Sequence, residues 1–299
     1  MQQYIDEIES NEIIENDLIL TSGEAVSVGL LSAILKKRDI KSVPLLGWQI
    51  PIITDSNHQK AKILNIDKDR IYKYLNDFDV LVVAGFQGID IDGKITSLGR
   101  GGSDTTAVAI AASVKAKQCD IYTDVDGIYT TDPRMVPNAK KLDAISMEEM
   151  LEMAGKGAKV IQIRAVEFAN KFNVPVRVLS SFEQGNGTLI YLKDDNNMEN
   201  ALVSGIAFQK DQVKITLHGV TDTPGIAYQI LGPLSDENIE VDVIVQNVSV
   251  NGKTDFTFTV SDEDKSNAEA VLQNLKDVTF DDLIIDSDIA KVSLVGVGM

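Results

Sequence analysis

The sequence predicts an α/β protein, a mostly parallel sheet sandwiched by helices, followed by a smaller α+β domain. Two rhythms in the chain predict it. From Leu18 to about Ile190, short apolar runs of strand length alternate with segments of helical period, the pattern of parallel strands joined by helical crossovers. Beyond the polar stretch "YLKDDNNMEN" (191–200) the order becomes strand-helix-strand-strand-helix-strand, which is that of a ferredoxin-like unit. The 299 residues are enough for two separate cores. The expected division is therefore 1–190, a linker over 191–200, and 201–299.

In chain order, "EAVSVGLLSAILKK" (24–37) carries Val28, Leu31, Ala33 and Leu35 at roughly helical spacing behind Gly23. The stretch Ser22-Gly23-Glu24 reads as a cap or a glycine turn holding a carboxylate. "RIYKYLND" is a short helix before "VLVVAGF" (80–86), an apolar run expected as a buried parallel strand. Asp92-Gly93 marks a hairpin. "SLGRGGSDTTAVAIAASV" (97–114) should turn tightly on its glycines, with Ser103 or Asp104 capping a helix over 105–115. "CDIYTDV" is a second buried strand, "SMEEMLEMAG" and "AKVIQIRAVEFANKF" are helices, and Asn173-Val174-Pro175 opens the strand "VPVRVLS". In the second half, "VKITLHGV" alternates as a strand and "IAYQILGPLSDEN" is a helix. "IEVDVIVQNVSV" and "TDFTFTV" flank the hairpin signal Asn251-Gly252, and "KSNAEAVLQNLKD" precedes a closing strand.

Composition narrows the function. A formal net charge of -17 opposes nucleic acid and anionic membranes, since both require basic surface. One cysteine, Cys119, excludes a disulfide framework and fits a reducing cytoplasm. The polar, acidic start "MQQYIDEIES" is unlike a signal peptide. His58 and His218 lie far apart with no metal-site spacing, so both are expected to be solvated or capping.

The glycine-rich stretch fits neither of two familiar phosphate loops. It lacks the Gly-Lys-Ser/Thr ending of one, and the third glycine of the other is replaced by Asp104. What it offers is a helix N-terminus for an anion, with Arg100 as a planar cationic fork. Asp104 adds a carboxylate that suits an ammonium group or orients a metal. A ligand both anionic and amine-bearing, such as an amino acid, suits that combination. "YTDVDGIYTTDPR" begins at the end of a predicted parallel strand, where open sheets bind ligands. There Thr123, Asp124 and Asp126 offer oxygens for a ribose or hydrated Mg²⁺, Tyr129 a ring for a base, and Arg134 a partner for phosphate. Lys156 and Lys159 stand beside glycines ahead of another helix.

Taken together, "SGEAVSVGLLSAIL", "VAGFQGIDIDGKITSLGRGGSDTTAVAIAASVKA", "IYTDVDGIYTTDPRMVPNAKKLDAISMEEMLEMAGKGAKV" and "NVPVRVLSSF" resemble the blocks of the aspartokinases, of the amino-acid kinase family, in their order. "TDTPGIA" and "NIEVDVIVQNVS" resemble their regulatory ACT repeats. The resemblance implies ATP-dependent phosphorylation of the side-chain carboxylate of L-aspartate, giving 4-phospho-L-aspartate. That is the first step toward lysine, threonine and methionine through diaminopimelate. It implies that Glu24 holds the substrate amine and Arg100 its α-carboxylate, with Ser103 and Asp104 shaping the centre. Thr123, Asp124, Tyr129, Arg134 and Lys159 would line the site for ATP and its Mg²⁺. Asp222, Gly225, Ile226, Ala227, Asn238, Ile239, Asp242 and Gln246 would bind a feedback amino acid, lysine or threonine or both. A cytoplasmic homodimer through the ACT repeats is implied as well.

Two departures shape a second expectation. The family opens with a "KFGGTS"-type turn whose lysine contacts the transferring phosphoryl group, and "MQQYIDEIES" has no counterpart of it. Of the second ACT repeat, only "ALVSGIAF" and the final strand are matched. Beside the kinase stands the alternative of a catalytically silent, amino-acid-binding regulatory chain or a split-gene fragment.

Overall fold

The computed structural model describes residues 1–8, 12–158, 160–192, 203–247, 251–275 and 278–296. The chain forms two compact units, Met1–Ala207 with Leu294–Met299, and Phe208–Ser293.

The first unit starts with α1 (Gln2–Glu7) and α2 (Ile13–Lys36), then β1 (Ser42–Leu45), β2 (Ile52–Thr54), β3 (Ile63–Ile66) and α3 (Lys68–Leu75). There follow β4 (Val80–Val83), β5 (Gln87–Ile89), β6 (Ile95–Ser97), α4 (Gly102–Ser113) and β7 (Cys119–Thr123). β8 (Ala144–Ser146), α5 (Met147–Gly155), α6 (Ile163–Phe172), β9 (Val176–Ser180) and β10 (Thr188–Tyr191) complete it. Among the described residues four strand pairs are parallel: β1 with β4, β2 with β5, β7 with β9, and β8 with β10. The antiparallel pairs are β2 with β3, β5 with β6, and β9 with β10.

Local chemistry sets the boundaries. Ser146 and Glu149 form a reciprocal capping box at the start of α5, satisfying two otherwise unpaired donors. Asp67 caps α3 by accepting the Arg70 N–H at 3.0 Å. Asn173, in the left-handed region at φ 56°, ends α6. In the β5–β6 hairpin, Asp90 Oδ1 accepts the N–H groups of Asp92 and Lys94. Met147, Met150, Met153, Val166, Val176, Val178 and Ile190 bury almost completely between α4, α5, α6 and the β7–β10 sheet. Each such side chain contributes about 1.5–3 kcal/mol relative to exposure.

Several elements differ from the sequence expectation: α6 begins at Ile163 rather than at the start of "AKVIQIR", and β4 ends at Val83 and is mostly half-buried. α2 begins at Ile13, so Ser22, Gly23 and Glu24 lie inside a continuous helix rather than in a cap or turn. Gly23 is tolerated there because the remaining period is helical. α4 begins at Gly102 behind Gly101, whose backbone is left-handed at φ 68°; neither Ser103 nor Asp104 caps it, since both already lie in its first turn. β7 alternates buried and exposed residues instead of being buried on both faces, with β9 its one strand neighbour in the described sheet.

The second unit contains α7 (Ile226–Asp236), β12 (Ile244–Gln246), β13 (Lys253–Ser261) and α8 (Lys265–Gln273), with most of β11 (Gly205–Thr221) and β14 (Asp282–Val295). The sheet order β12-β13-β11-β14 is the ferredoxin-like order. Asn251 and Gly252, ahead of β13, both have positive φ, 53° and 75°. β12 pairs antiparallel with β13, Ile244 opposite Phe258 and Gln246 opposite Phe256. Residues 240–243 are not strand, so the predicted run shortens to β12. Ile215, Leu217, Ile230, Leu234, Phe256, Phe258 and Leu272 form this unit's core.

Candidate active site

Around Arg100 the backbone is fixed from several sides. Gly99 has φ 75°, and a Cβ there would lie 2.7 Å from the Gln59 carbonyl oxygen. A Cβ on Gly101 would lie 1.6 Å from Cγ of Gln162. Only glycine meets both the conformation and the close approach. Arg164 donates to the carbonyls of Leu98 and Ala61, at 2.7 and 2.9 Å, tying α6 to the start of the turn. On the other side Thr106 Oγ1 accepts the Phe86 N–H at 3.1 Å. Ser103 faces Gly85, where a Cβ would meet the Ser103 Cα at 3.1 Å.

On this frame Arg100 is exposed, and among the described residues its guanidinium makes no hydrogen bond or ion pair. Asp104, one turn into the helix, is half-buried. Burial raises its carboxyl above the ordinary value, partly offset by the backbone N–H of Gln162. Cys119 is buried, and its thiol is pushed up to about 11 by burial and by the nearby charges of Asp120 and Asp104; it is an inert core thiol.

Glu24 stands on α2, half-buried. Asp17, Thr21 and Val28 are buried on the same helix, and the spacing 17, 21, 24, 28 puts all four on one face. That face meets the sheet: Asp17 accepts from Ser97 at 2.5 Å, and the Thr21 carbonyl accepts from Gln87 at 3.4 Å. Glu24 thus lies on the buried stripe of α2, the stripe that reaches the strand leading to Arg100.

The second cluster follows β7. Thr123 donates to Asp124 at 3.1 Å. Tyr129 donates its hydroxyl to Asp126 at 2.9 Å, and Lys141 reaches the same carboxylate at 3.1 Å. Burial alone would raise the Asp126 carboxyl, but these two partners outweigh it and hold it below the ordinary value. Tyr129 is therefore anchored by its hydroxyl, with its ring half-buried. Arg134 forks onto Asp132, with a shortest contact of 2.8 Å, and its side chain is 86% exposed. Lys159 lies outside the described residues. Among the described residues no three His, Cys, Asp or Glu side chains gather as a metal cage.

In the second unit, Asp222, Gly225, Asn238, Asp242 and Gln246 are exposed. Gly225 sets the start of α7 with φ 87°. Ile226 and Ile239 belong to the core, so only their backbone is available to a ligand, and Ala227 is partly buried. Asp242 is ion-paired with Lys291.

Asp17, Gln162 and Arg164 escaped the sequence reading, and His58 was expected there to be solvated or capping. His58 is not solvated: its side chain is 7% exposed and its Nδ1 lies 2.7 Å from Asp17, itself fully buried. A signal existed for Asp17, which falls in register with Glu24 once the helical period is followed back to Ile13.

Residues 3–180 match the amino acid kinase family, and 215–280 match the ACT domain; a phosphotransferase unit joined to a small regulatory fold is the class that results. The aspartate kinase of Pseudomonas putida is 56% identical over 286 residues, covering 95% of this chain and 70% of the relative. Among solved structures, aspartokinase III of E. coli in complex with aspartate and ADP (R-state) superposes with a TM-score of 0.78 at 29% identity, covering 96% of this chain and 65% of that one. Its complex with lysine and aspartate (T-state) gives 0.73 at 29%, covering 96% and 64%. The chain belongs to the aspartokinase family. It spans about two thirds of the length of those relatives.

Proposed function

We propose that this chain binds L-aspartate at the entrance to α4 and transfers the γ-phosphoryl group of ATP to its side-chain carboxylate. Arg100 grips the α-carboxylate through paired N–H donors. Glu24 and Asp104 receive the ammonium group, and Ser103 borders the reacting carboxylate. Thr123, Asp124, Tyr129, Arg134 and Lys159 hold ATP, with Mg²⁺ arriving on its phosphates. The side-chain carboxylate is ionised at neutral pH and needs no general base. One of its oxygens attacks the γ-phosphorus, the bond to the bridging β,γ oxygen breaks, and ADP leaves with that electron pair. The obstacle is bringing an anion up to a polyanion, which positioned cations overcome.

The observation that carries this reading is the pair Arg100 and Asp104. The fold keeps a half-buried carboxylate at the start of α4, with no cation paired to it among the described residues, beside an arginine equally without a partner. Folding stability explains neither; a zwitterionic ligand explains both.

Residues 1–190 are read as the kinase domain and 201–299 as the ACT region, whose first repeat is complete. Lysine, threonine or both bind near Asp222, Gly225, Asn238, Asp242 and Gln246, with the backbone at Ile226, Ala227 and Ile239. A cytoplasmic homodimer through the ACT region completes the reading. In support, the E. coli enzyme was solved with lysine and aspartate.

A coupled assay for ADP release tests the reaction. Turnover is expected with L-aspartate and not with glutamate or N-acetylglutamate, and Asp104→Ala should abolish it. Equal turnover by that variant would remove Asp104 from the site. Stabilisation by lysine or threonine without any turnover would instead favour a silent regulatory chain.

A further inference from the structure

Asp17 gathers three hydrogen-bond donors from two separate segments of the chain onto one carboxylate. His58 Nδ1 lies 2.7 Å from its Oδ2, and the Gln59 N–H lies 3.2 Å from each oxygen. The Ser97 hydroxyl donates at 2.5 Å. Because a carboxylate only accepts, His58 carries the proton on Nδ1. The side chain of Asp17 is wholly buried and that of His58 nearly so.

The bonded groups flank the turn that holds Arg100. Ser97 ends β6 three residues before it. The Gln59 carbonyl packs against Gly99 so closely that no Cβ fits between them, and the Ser97 carbonyl accepts the Ala61 N–H at 3.0 Å. Gln59 itself is held at φ 65°, a conformation a non-glycine residue adopts only when its surroundings enforce it. Asp17 also rides two helical turns before Glu24 on the same face of α2. One carboxylate therefore joins the helix bearing Glu24 to the two chain segments that fix Arg100.

We propose that Asp17 and His58 form a positioning pair for the amino-acid side of the site, setting the separation between Glu24 and the Arg100 turn. The pair touches no substrate and stands apart from the ATP cluster after β7. This inference rests on the aspartate site proposed above. Its consequence is selective: loosening the pair weakens aspartate binding and spares ATP.

The test combines calorimetric titration of the full chain with aspartate and with ATP, and amide hydrogen exchange without ligand. For His58→Ala the dissociation constant for aspartate should rise about tenfold, equal to ~1.4 kcal/mol. ATP binding should stay within about twofold, and exchange should quicken at residues 98–102 but not in α5. His58→Asn, which returns an N–H close to the position of Nδ1, should restore most of the aspartate affinity. Unchanged aspartate binding with unchanged exchange would overturn the proposal. So would equal weakening of both ligands with faster exchange throughout, which marks a general packing role. Arg100→Ala separates the two levels: retained aspartate affinity in that variant defeats the aspartate site itself, while the exchange result still judges the clasp.

Discussion

In the proposed aspartate site, the surroundings of Arg100 and Asp104 make opposite predictions for binding and for stability. Replacing Arg100 by alanine removes a pair of charge-assisted hydrogen bonds, so aspartate affinity should fall about 10- to 100-fold in a titration. The folded carboxyl of Asp104 is raised above its unfolded value by burial. The native state then holds its proton more tightly, and stability falls as pH rises through the window above the unfolded value of 3.8. Asp104→Asn should therefore melt higher than the parent at pH 7 while binding aspartate worse, with the melting difference closing as the pH falls toward that value. A lower melting temperature at pH 7 would show that Asp104 is a structural anchor. In the second unit, Lys291 already places an ammonium on Asp242, so a feedback amino acid that uses Asp242 must displace it. Lys291→Ala should strengthen the thermal shift produced by lysine or threonine; a weaker shift would assign Lys291 to the effector site as a ligand. Arg100 and Asp104 were legible in the sequence because glycines and opposite charges crowd five residues. Asp17 and His58 were not, because 41 positions separate them and only the fold brings them together.

Among the elements, α4 and its glycine turn have the least tolerance. Gly101→Ala sets a side chain against Gln162 at φ 68°, and should destabilise the chain by about 1–3 kcal/mol in urea unfolding. An unchanged midpoint would mean that the turn relaxes freely. At α5, Ser146→Ala removes one arm of the capping box and should cost about 1 kcal/mol. Strand and helix order was readable because turn chemistry (Asp92-Gly93, Asn173, Asn251-Gly252) punctuates the chain where the backbone truly turns. Helix starts were read less well. Gly23 and Gly101 look alike in sequence, yet one continues a helix and the other precedes one; what differs is tertiary packing. α2 illustrates the same limit. It is long and apolar enough to cross a membrane by composition alone, yet Asp17, Thr21 and Ser32 bury on one face and bond to the sheet side. Its other face leaves Leu18, Val26, Leu30, Leu31 and Ile34 exposed.

At the scale of the whole molecule, two units with separate cores divide the work that the sequence rhythm suggested: a unit of parallel strand pairs bearing Arg100 and Asp104, and a ferredoxin-like unit bearing the predicted effector residues. The acidic chain meets two anionic substrates, so its net charge of -17 gives no general attraction for them. Binding must come from locally placed cations, and aspartate affinity should drop with salt only modestly, by far less than loss of Arg100. The most direct test of the account is a crystal structure of the chain with L-aspartate bound. The α-carboxylate is predicted within hydrogen-bond reach of the Arg100 guanidinium, with the ammonium group between Glu24 and Asp104 and the side-chain carboxylate facing Ser103. Aspartate seated elsewhere, with Arg100 still in solvent, would contradict it.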